Sequence, residues 1–133
     1  DALPIYLSPT HLLICHPQEM VVALNNILIN AIEACEQVQT AKMIKIFIRK
    51  NELLMELCIS NNGPMIPSEN REKILHPFFT TKTSKKSLGL GLSIANVIVQ
   101  NHHGTLYLDE NTEMTTFVIL FPNKNLITIE PSI

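Results

Sequence analysis

The sequence predicts an α/β (α+β) two-layer sandwich, a mostly antiparallel mixed sheet covered on one face by helices. Three patterns carry that expectation. Residues 21–35 place Val21, Leu24, Leu28, Ala31 and Cys35 at steps of three and four, the spacing of one buried stripe on an α-helix. Residues 42–50 and 53–60 form two strand-like runs flanking Asn51-Glu52, a hairpin pattern. Residues 104–108 and 115–121 form two further apolar runs after a second helical stretch.

Composition bounds what such a domain can do. The chain has 133 residues, 46% apolar and 17% charged, which is ordinary for a single globular domain and too apolar for disorder. A net charge of −2 with no basic run excludes a generic phosphate-backbone surface, so no nucleic-acid partner is expected. Cys15, Cys35 and Cys58 are odd in number and sit in apolar runs, which fits neither a disulfide framework nor a zinc knuckle and suits a reducing, cytoplasmic setting. The longest uncharged apolar stretch, residues 20–32, falls short of the about 20 residues of a membrane span, so no direct membrane contact is expected. A start at Asp1 reads as a fragment whose anchor, if it has one, lies upstream.

Taken in order, residues 3–7 and 12–15 read as short strands around Ser8-Pro9-Thr10. His16-Pro17 opens the first helix, because proline is tolerated in a first turn, and it is expected to run to about Gln37. After the hairpin, Asn61-Asn62-Gly63-Pro64 begins an irregular segment reaching Leu88, and long irregular segments in compact domains usually serve as functional loops or lids. A second helix is expected from Ile94 to His103, stopped by Gly104. Residues 123–133 read as a tail, leaving a domain over residues 1–122.

Two features suggest chemistry. Asn26, Asn30 and Glu33 share one face of the first helix, and oxygen donors there suit a hard cation or a phosphate ligand, or else a solvated face. Gly89-x-Gly91 at a loop-to-helix junction either offers backbone amides to phosphate oxygens or lets elements pack closely. It matches neither the dinucleotide fingerprint nor the P-loop.

Five ordered segments now carry a resemblance. Asn26 to Ala34, Asn61 to Pro67, Pro77 to Lys82, Gly89 to Ile94 and His103 to Leu106 resemble the boxes of the ATP-binding catalytic domain of sensor histidine kinases, in the superfamily shared with gyrase-type ATPases and heat-shock chaperones. The wording is similar to nitrogen-regulatory and sporulation kinases, and the likeness spans about residues 12–122. It implies Mg²⁺ and ATP as cofactors, with Asn30 on the metal, Asn26 one turn earlier, and Glu33 holding a magnesium water. It implies that Asn61 and Gly63 meet the adenine and that Lys82 or Lys85 neutralises phosphate charge. Gly89 and Gly91 would offer amides, while Ile66, Phe79, Thr80, Leu90 and Leu92 would line the base or fasten a long ATP lid. Asn26, Asn30 and Lys82 would be the catalytic set, in a reaction that asks mainly for positioning and charge neutralisation.

The resemblance further implies a homodimeric bacterial two-component kinase, with its own dimerisation and phosphoacceptor domain and a response regulator as partners. None of His11, His16, His76, His102 or His103 is followed by Glu, so the acceptor histidine should lie on a separate segment. Hydrolytic relatives carry a glutamate base at position 26, and the amide of Asn26 cannot take a proton from water. Asn61 stands where the family has an aspartate, Met65 where it usually has glycine, and Ser87-Leu88 where it usually has Gly-Thr. These departures predict weaker or lid-dependent nucleotide binding and keep a second reading open, a degenerate nucleotide-sensing or interaction module without phosphotransfer.

Elsewhere plainer roles are expected. His102-His103 reads as favourable charge at a helix C-terminus, Met20, Met43, Met55 and Met114 as core filler, and Lys42, Lys45, Arg49 and Lys50 as a solvated strand face.

Overall fold

The computed structural model describes residues 10–50, 53–76, 90–110, 112–122 and 126–129. Helix α1 spans Pro17–Cys35 and helix α2 spans Gly91–Asn101. Strands β2 (Ile44–Lys50), β3 (Leu54–Asn61), β4 (Thr105–Asp109) and β5 (Thr115–Pro122) form a four-stranded sheet in the order β2-β3-β5-β4, with every pairing antiparallel. Strand β1 (Thr10–Leu13) pairs with β6 (Leu126–Ile129) in a separate two-stranded sheet. The stretch read as a featureless tail therefore contains a strand, whose partner is distant in sequence and invisible to local patterning. The first strand also begins earlier than expected, at Thr10, and residues 3–7 lie outside the described residues.

Register explains the layers. Ile46 lies opposite Ile59, Ile59 opposite Phe117, and Phe117 opposite Leu108, so these side chains share one face of the sheet. On that face Met55, Ile59, Leu106, Phe117, Ile119 and Phe121 are buried in one cluster with Met20, Ala23, Ile27 and Ala31 of α1 and Ala95, Ile98 and Val99 of α2. Val21, expected in the α1 stripe, is instead 55% exposed, because the helix is turned so that Met20, Ala23 and Ile27 point inward. The small Ala23 and Ala31 let it sit close to its neighbours. Beyond the helices, Ile44, Ile46 and Ile48 of the edge strand β2 continue the same face into solvent, and Met43 is exposed rather than core filler.

The opposite face of the sheet has its own polar cover. The Arg49 guanidinium lies 3.1 Å from both Glu56 and Asp109, and the Tyr107 hydroxyl donates to Glu56. Cys58 and Val118 are fully buried on this same face, and Ser60 shares a hydrogen bond of 2.6 Å with Thr116. Arg49 is thus a fastening across three strands, not part of a solvated face. Lys42 likewise has a structural post: its Nζ donates to the carbonyls of Cys35 (2.8 Å), Glu36 (3.4 Å) and Val38 (2.9 Å), satisfying groups that a helix C-terminus leaves open.

Helix α2 starts at Gly91, three residues before the expected Ile94, and ends at Asn101. Its stop is a Schellman arrangement, in which Gly104 N–H donates to Val99 O and His103 N–H to Gln100 O, both at 2.9 Å. His103 occupies the left-handed region at φ 63°, a position that usually selects glycine. Gly104 is also required, since a Cβ there would lie 2.8 Å from Leu120 O. His102 is not a surface charge at the helix end. It is buried, with Nδ1 donating to Ile98 O at 2.8 Å and Nε2 accepting the His16 N–H at 3.0 Å, so its ring is neutral and joins the end of α2 to the start of α1.

Two outcomes follow for stability. His103→Gly removes a left-handed non-glycine residue and should stabilise the domain by about 0.5–1 kcal/mol in urea denaturation; a lower midpoint would mean that the imidazole contributes more than its backbone costs. Burial, then the hydrogen bond to Glu56, push the Tyr107 hydroxyl up to about 12 from 10.0. The folded state thus holds this proton more tightly than the unfolded chain, so the stabilisation is fully present below about pH 10 and is lost as pH rises through about 12. Tyr107→Phe should flatten that part of the alkaline loss in urea midpoints taken from pH 9 to 12, and parallel curves would refute the assignment.

Candidate functional site

The site is built along one flank of α1. Asn26, Asn30 and Glu33 are each half-buried there, between the core-facing stripe and the exposed Ile29 and Ile32. The two helices run antiparallel. His16 at the start of α1 meets His102 just beyond the end of α2, with ring centroids 5.5 Å apart, while Asn26 further along α1 meets Gly91 at the start of α2. A Cβ on Gly91 would lie 3.4 Å from Asn26 Oδ1. The amide-bearing flank of one helix therefore faces the N-terminal turn of the other, whose first N–H groups have no partner within the helix. Leu90 precedes that turn, half-buried, and its carbonyl accepts from Ile94 N and from the Ser93 hydroxyl, both at 2.9 Å. This locks the helix start without a side-chain cap on the N–H groups themselves.

The second end of the site lies two turns further along α1. Asn61, the last residue of β3, is 1% exposed and shares the sheet face of Met55 and Ile59. Its Oδ1 accepts the Gly63 N–H at 2.9 Å, an Asx turn that bends the chain out of the strand. Gly63 is pressed against α1: a Cβ would lie 2.5 Å from Ala34 O and 2.8 Å from Ala34 C. Asn62 pins the same loop, its Oδ1 accepting from Met43 N at 2.9 Å and its Nδ2 donating to Ala41 O at 2.8 Å. The two ends, at Asn26 and Ala34, are about 12 Å apart at 1.5 Å per residue.

Asn26, Asn30, Glu33, Asn61, Gly63 and Gly91 thus lie on or against α1. Ile66 and Leu92 pack against the core cluster. Phe79, Thr80, Lys82, Lys85 and Gly89 lie outside the described residues. Thr115 was not anticipated. It lies opposite Asn61 on β5, is buried, and donates to Pro64 O at 3.3 Å, so it holds the loop that carries Gly63. Its only sequence signal is membership of a strand; its place depends on the order of strands in the sheet.

The donor set is sparse and hard. Among the described residues no three His, Cys, Asp or Glu side chains cluster as a metal site, so a cation here would take amide and carboxylate oxygens and share the rest with its ligand. Burial pushes the Cys58 thiol up, and Cys58 lies on the other face of the sheet, so it offers no nucleophile.

The glycines separate packing from ligand contact. Gly63→Ala should destabilise the fold by at least about 2 kcal/mol through its clash with backbone, whereas Gly91→Ala, helical and with room for a methyl, should leave the urea midpoint unchanged or slightly higher. Equal losses in the two variants would contradict this assignment.

Comparison with known proteins agrees with this geometry. The profile of the family described as "Histidine kinase-, DNA gyrase B-, and HSP90-like ATPase" matches residues 15–125. The chain is 35% identical over 81 residues to the "Sensory histidine kinase/phosphatase NtrB" of Rhizobium leguminosarum bv. phaseoli, covering 61% of this chain and 21% of that protein. It is 33% identical over 105 residues to the "Heme sensor protein HssS" of Staphylococcus aureus (strain Newman), covering 78% of this chain and 22% of that one. It spans about a fifth of each of these relatives. Among solved structures, the nucleotide-free catalytic domain of histidine kinase ThkA superposes with a TM-score of 0.68 at 33% identity, over 81% of this chain and 69% of that one. The mycobacterial sensor histidine kinase MprB shares the fold, with a TM-score of 0.68 at 24% identity, over 88% of this chain and 74% of that one. The chain belongs to the histidine kinase-, DNA gyrase B- and HSP90-like ATPase family, as a catalytic domain of the sensor histidine kinase type.

Proposed function

We propose that this domain binds Mg-ATP along the flank of α1 and presents the γ-phosphoryl group to a histidine on a separate phosphoacceptor and dimerisation domain. The observation that carries the reading is Asn26 against Gly91. It sets oxygen donors on α1 beside the N–H-rich start of α2, an arrangement suited to a triphosphate and its cation. The base would lie at the Asn61 end, with Gly63 letting the backbone approach it, and Lys82, Lys85 and Gly89 would complete the phosphate contacts.

Asn30 would hold the cation through its amide oxygen, with Asn26 one turn earlier and Glu33 accepting from a coordinated water; this fits a magnesium ion, which takes few protein oxygens and keeps several waters. Such an ion, when bound, neutralises charge building on the phosphoryl oxygens. The chain's own work is to orient the triphosphate between two rigid helices. The amide of Asn26 has no basic site with which to activate water, which favours transfer to a histidine over hydrolysis. The reading places the domain in the cytoplasm, where ATP is, within a homodimeric kinase that passes phosphate on to a response regulator. Among the described residues no helix is long and apolar enough to cross a membrane. A second reading, a nucleotide-sensing module without transfer, is favoured by Asn61 in place of a carboxylate.

The domain mixed with labelled ATP, Mg²⁺ and the phosphoacceptor domain of its own kinase should yield acid-labile, base-stable phosphohistidine. Asn30→Ala should weaken Mg-ATP binding at least about tenfold and abolish labelling. Binding without label supports the sensing module, and unchanged affinity in Asn30→Ala refutes the site.

A further inference from the structure

The base end of the site is already filled by a side chain of the domain itself. Asn61 and Thr115 face each other as the last pair of β3 and β5, both buried, and their side chains lie next to each other on the sheet face turned toward α1. Asn61 Nδ2 is closed off from solvent there and has no hydrogen-bond partner among the described residues. Beside it, the Thr115 hydroxyl lies 3.3 Å from Pro64 O and 3.5 Å from Met65 Sδ, so the Met65 thioether reaches in to the floor that these two residues make. Met65 is nevertheless 45% exposed, and so spans from that floor out to solvent. The backbone that carries it is fastened on both sides. Gly63 abuts Ala34, Asn62 is bonded to Met43 and Ala41, and Ile66 packs against the core cluster while its carbonyl accepts from Arg71 Nε at 3.3 Å. What remains free to move is the methionine side chain, which is unbranched, has three rotatable bonds and gives up only a weak sulfur contact.

We propose that Met65 is a displaceable plug of the base pocket, standing in the free domain where the base of the nucleotide lies in the complex. This rests on the reading that a nucleotide binds along α1 with its base at the Asn61 end, and it adds how that end is opened. A base that meets Asn61 has to come in over the same floor, and a thioether set against Thr115 cannot share that room with a flat ring. The neighbouring loop residues do not yield, since each is tied to another element, so entry turns Met65 about its own side-chain bonds into the solvent that it already touches. Displacement gives up the sulfur contact and some apolar burial, and the apparent affinity falls by the fraction of time for which the pocket stands open. That loss falls on the base alone. The phosphate end, about 12 Å away along α1, is out of reach of the methionine side chain.

The test is a calorimetric titration, in excess Mg²⁺, of the unaltered chain, Met65→Ala and Met65→Leu with ATP and with inorganic tripolyphosphate, which has the phosphates and no base. Met65→Ala should bind ATP at least about fivefold tighter than the unaltered chain and tripolyphosphate equally well. Met65→Leu keeps the bulk and should bind ATP no tighter than the unaltered chain. In the unaltered chain carrying ¹³C-methyl methionine, the Met65 methyl signal should shift when ATP binds and stay in place with tripolyphosphate. If Met65→Ala does not fold, that signal decides. Equal or weaker ATP binding by Met65→Ala, an equal gain for tripolyphosphate, as large a gain in Met65→Leu, or a Met65 signal unmoved by bound ATP overturns the plug while leaving the nucleotide reading intact. Failure of every form to bind ATP overturns both.

Discussion

The antiparallel seating of α2 against α1 is the constraint on which the crevice depends. It is fastened at the end remote from the site, where neutral, buried His102 accepts the His16 N–H and donates to Ile98 O. From that fastening, about ten residues along each helix lead to Asn26 and Gly91, roughly 15 Å away. Small residues on the packed faces, Ala23 and Ala31 on α1 and Ala95 on α2, keep the helices close enough for an asparagine to reach a glycine. The sheet serves the same end: β3 delivers Asn61 beneath α1, and β5 delivers Thr115 beside it.

Stability and function pull apart at one residue. Most of the described polar groups are paired, with Lys42 closing α1, Asn62 pinning the hairpin to the loop, and Arg49 bridging Glu56 and Asp109 through Nη2 while its buried Nε has no partner among the described residues. Among the described residues Asn61 combines full burial and an oxygen held by Gly63 with a nitrogen that has no partner, and a buried group left so costs about 1–3 kcal/mol.

Much of this was legible from residue order. The hairpin runs, the second pair of strands and the long helix announce themselves by periods of two and 3.6, and Asn26, Asn30, Glu33, Asn61 and Gly91 stand out as polar or glycine positions where neither period asks for them. What escaped was non-local. Val21 and Met20 both complete a plausible stripe, and only the partner surface selects between them. Met43 and Arg49 look like core and solvent until the sheet order makes β2 an edge and brings Asp109 within reach of the guanidinium. The pairing of β1 with β6 joins residues more than a hundred positions apart. His102 resembles a helix-end charge in sequence, and its true role appears only when α1 supplies an N–H.

The bare isoleucine row of β2 has a consequence for how the domain behaves among its own kind. Among the described residues β2 has a neighbour on one side only, and such a strand, carrying Ile44, Ile46 and Ile48 on one surface, is a template on which another chain can zip. Lys45 and Lys50 are exposed along that strand, one on each face, and charged side chains on an edge strand disfavour such pairing. These two lysines act as gatekeepers, allowing an apolar margin to remain open without turning the domain into the first unit of a fibre.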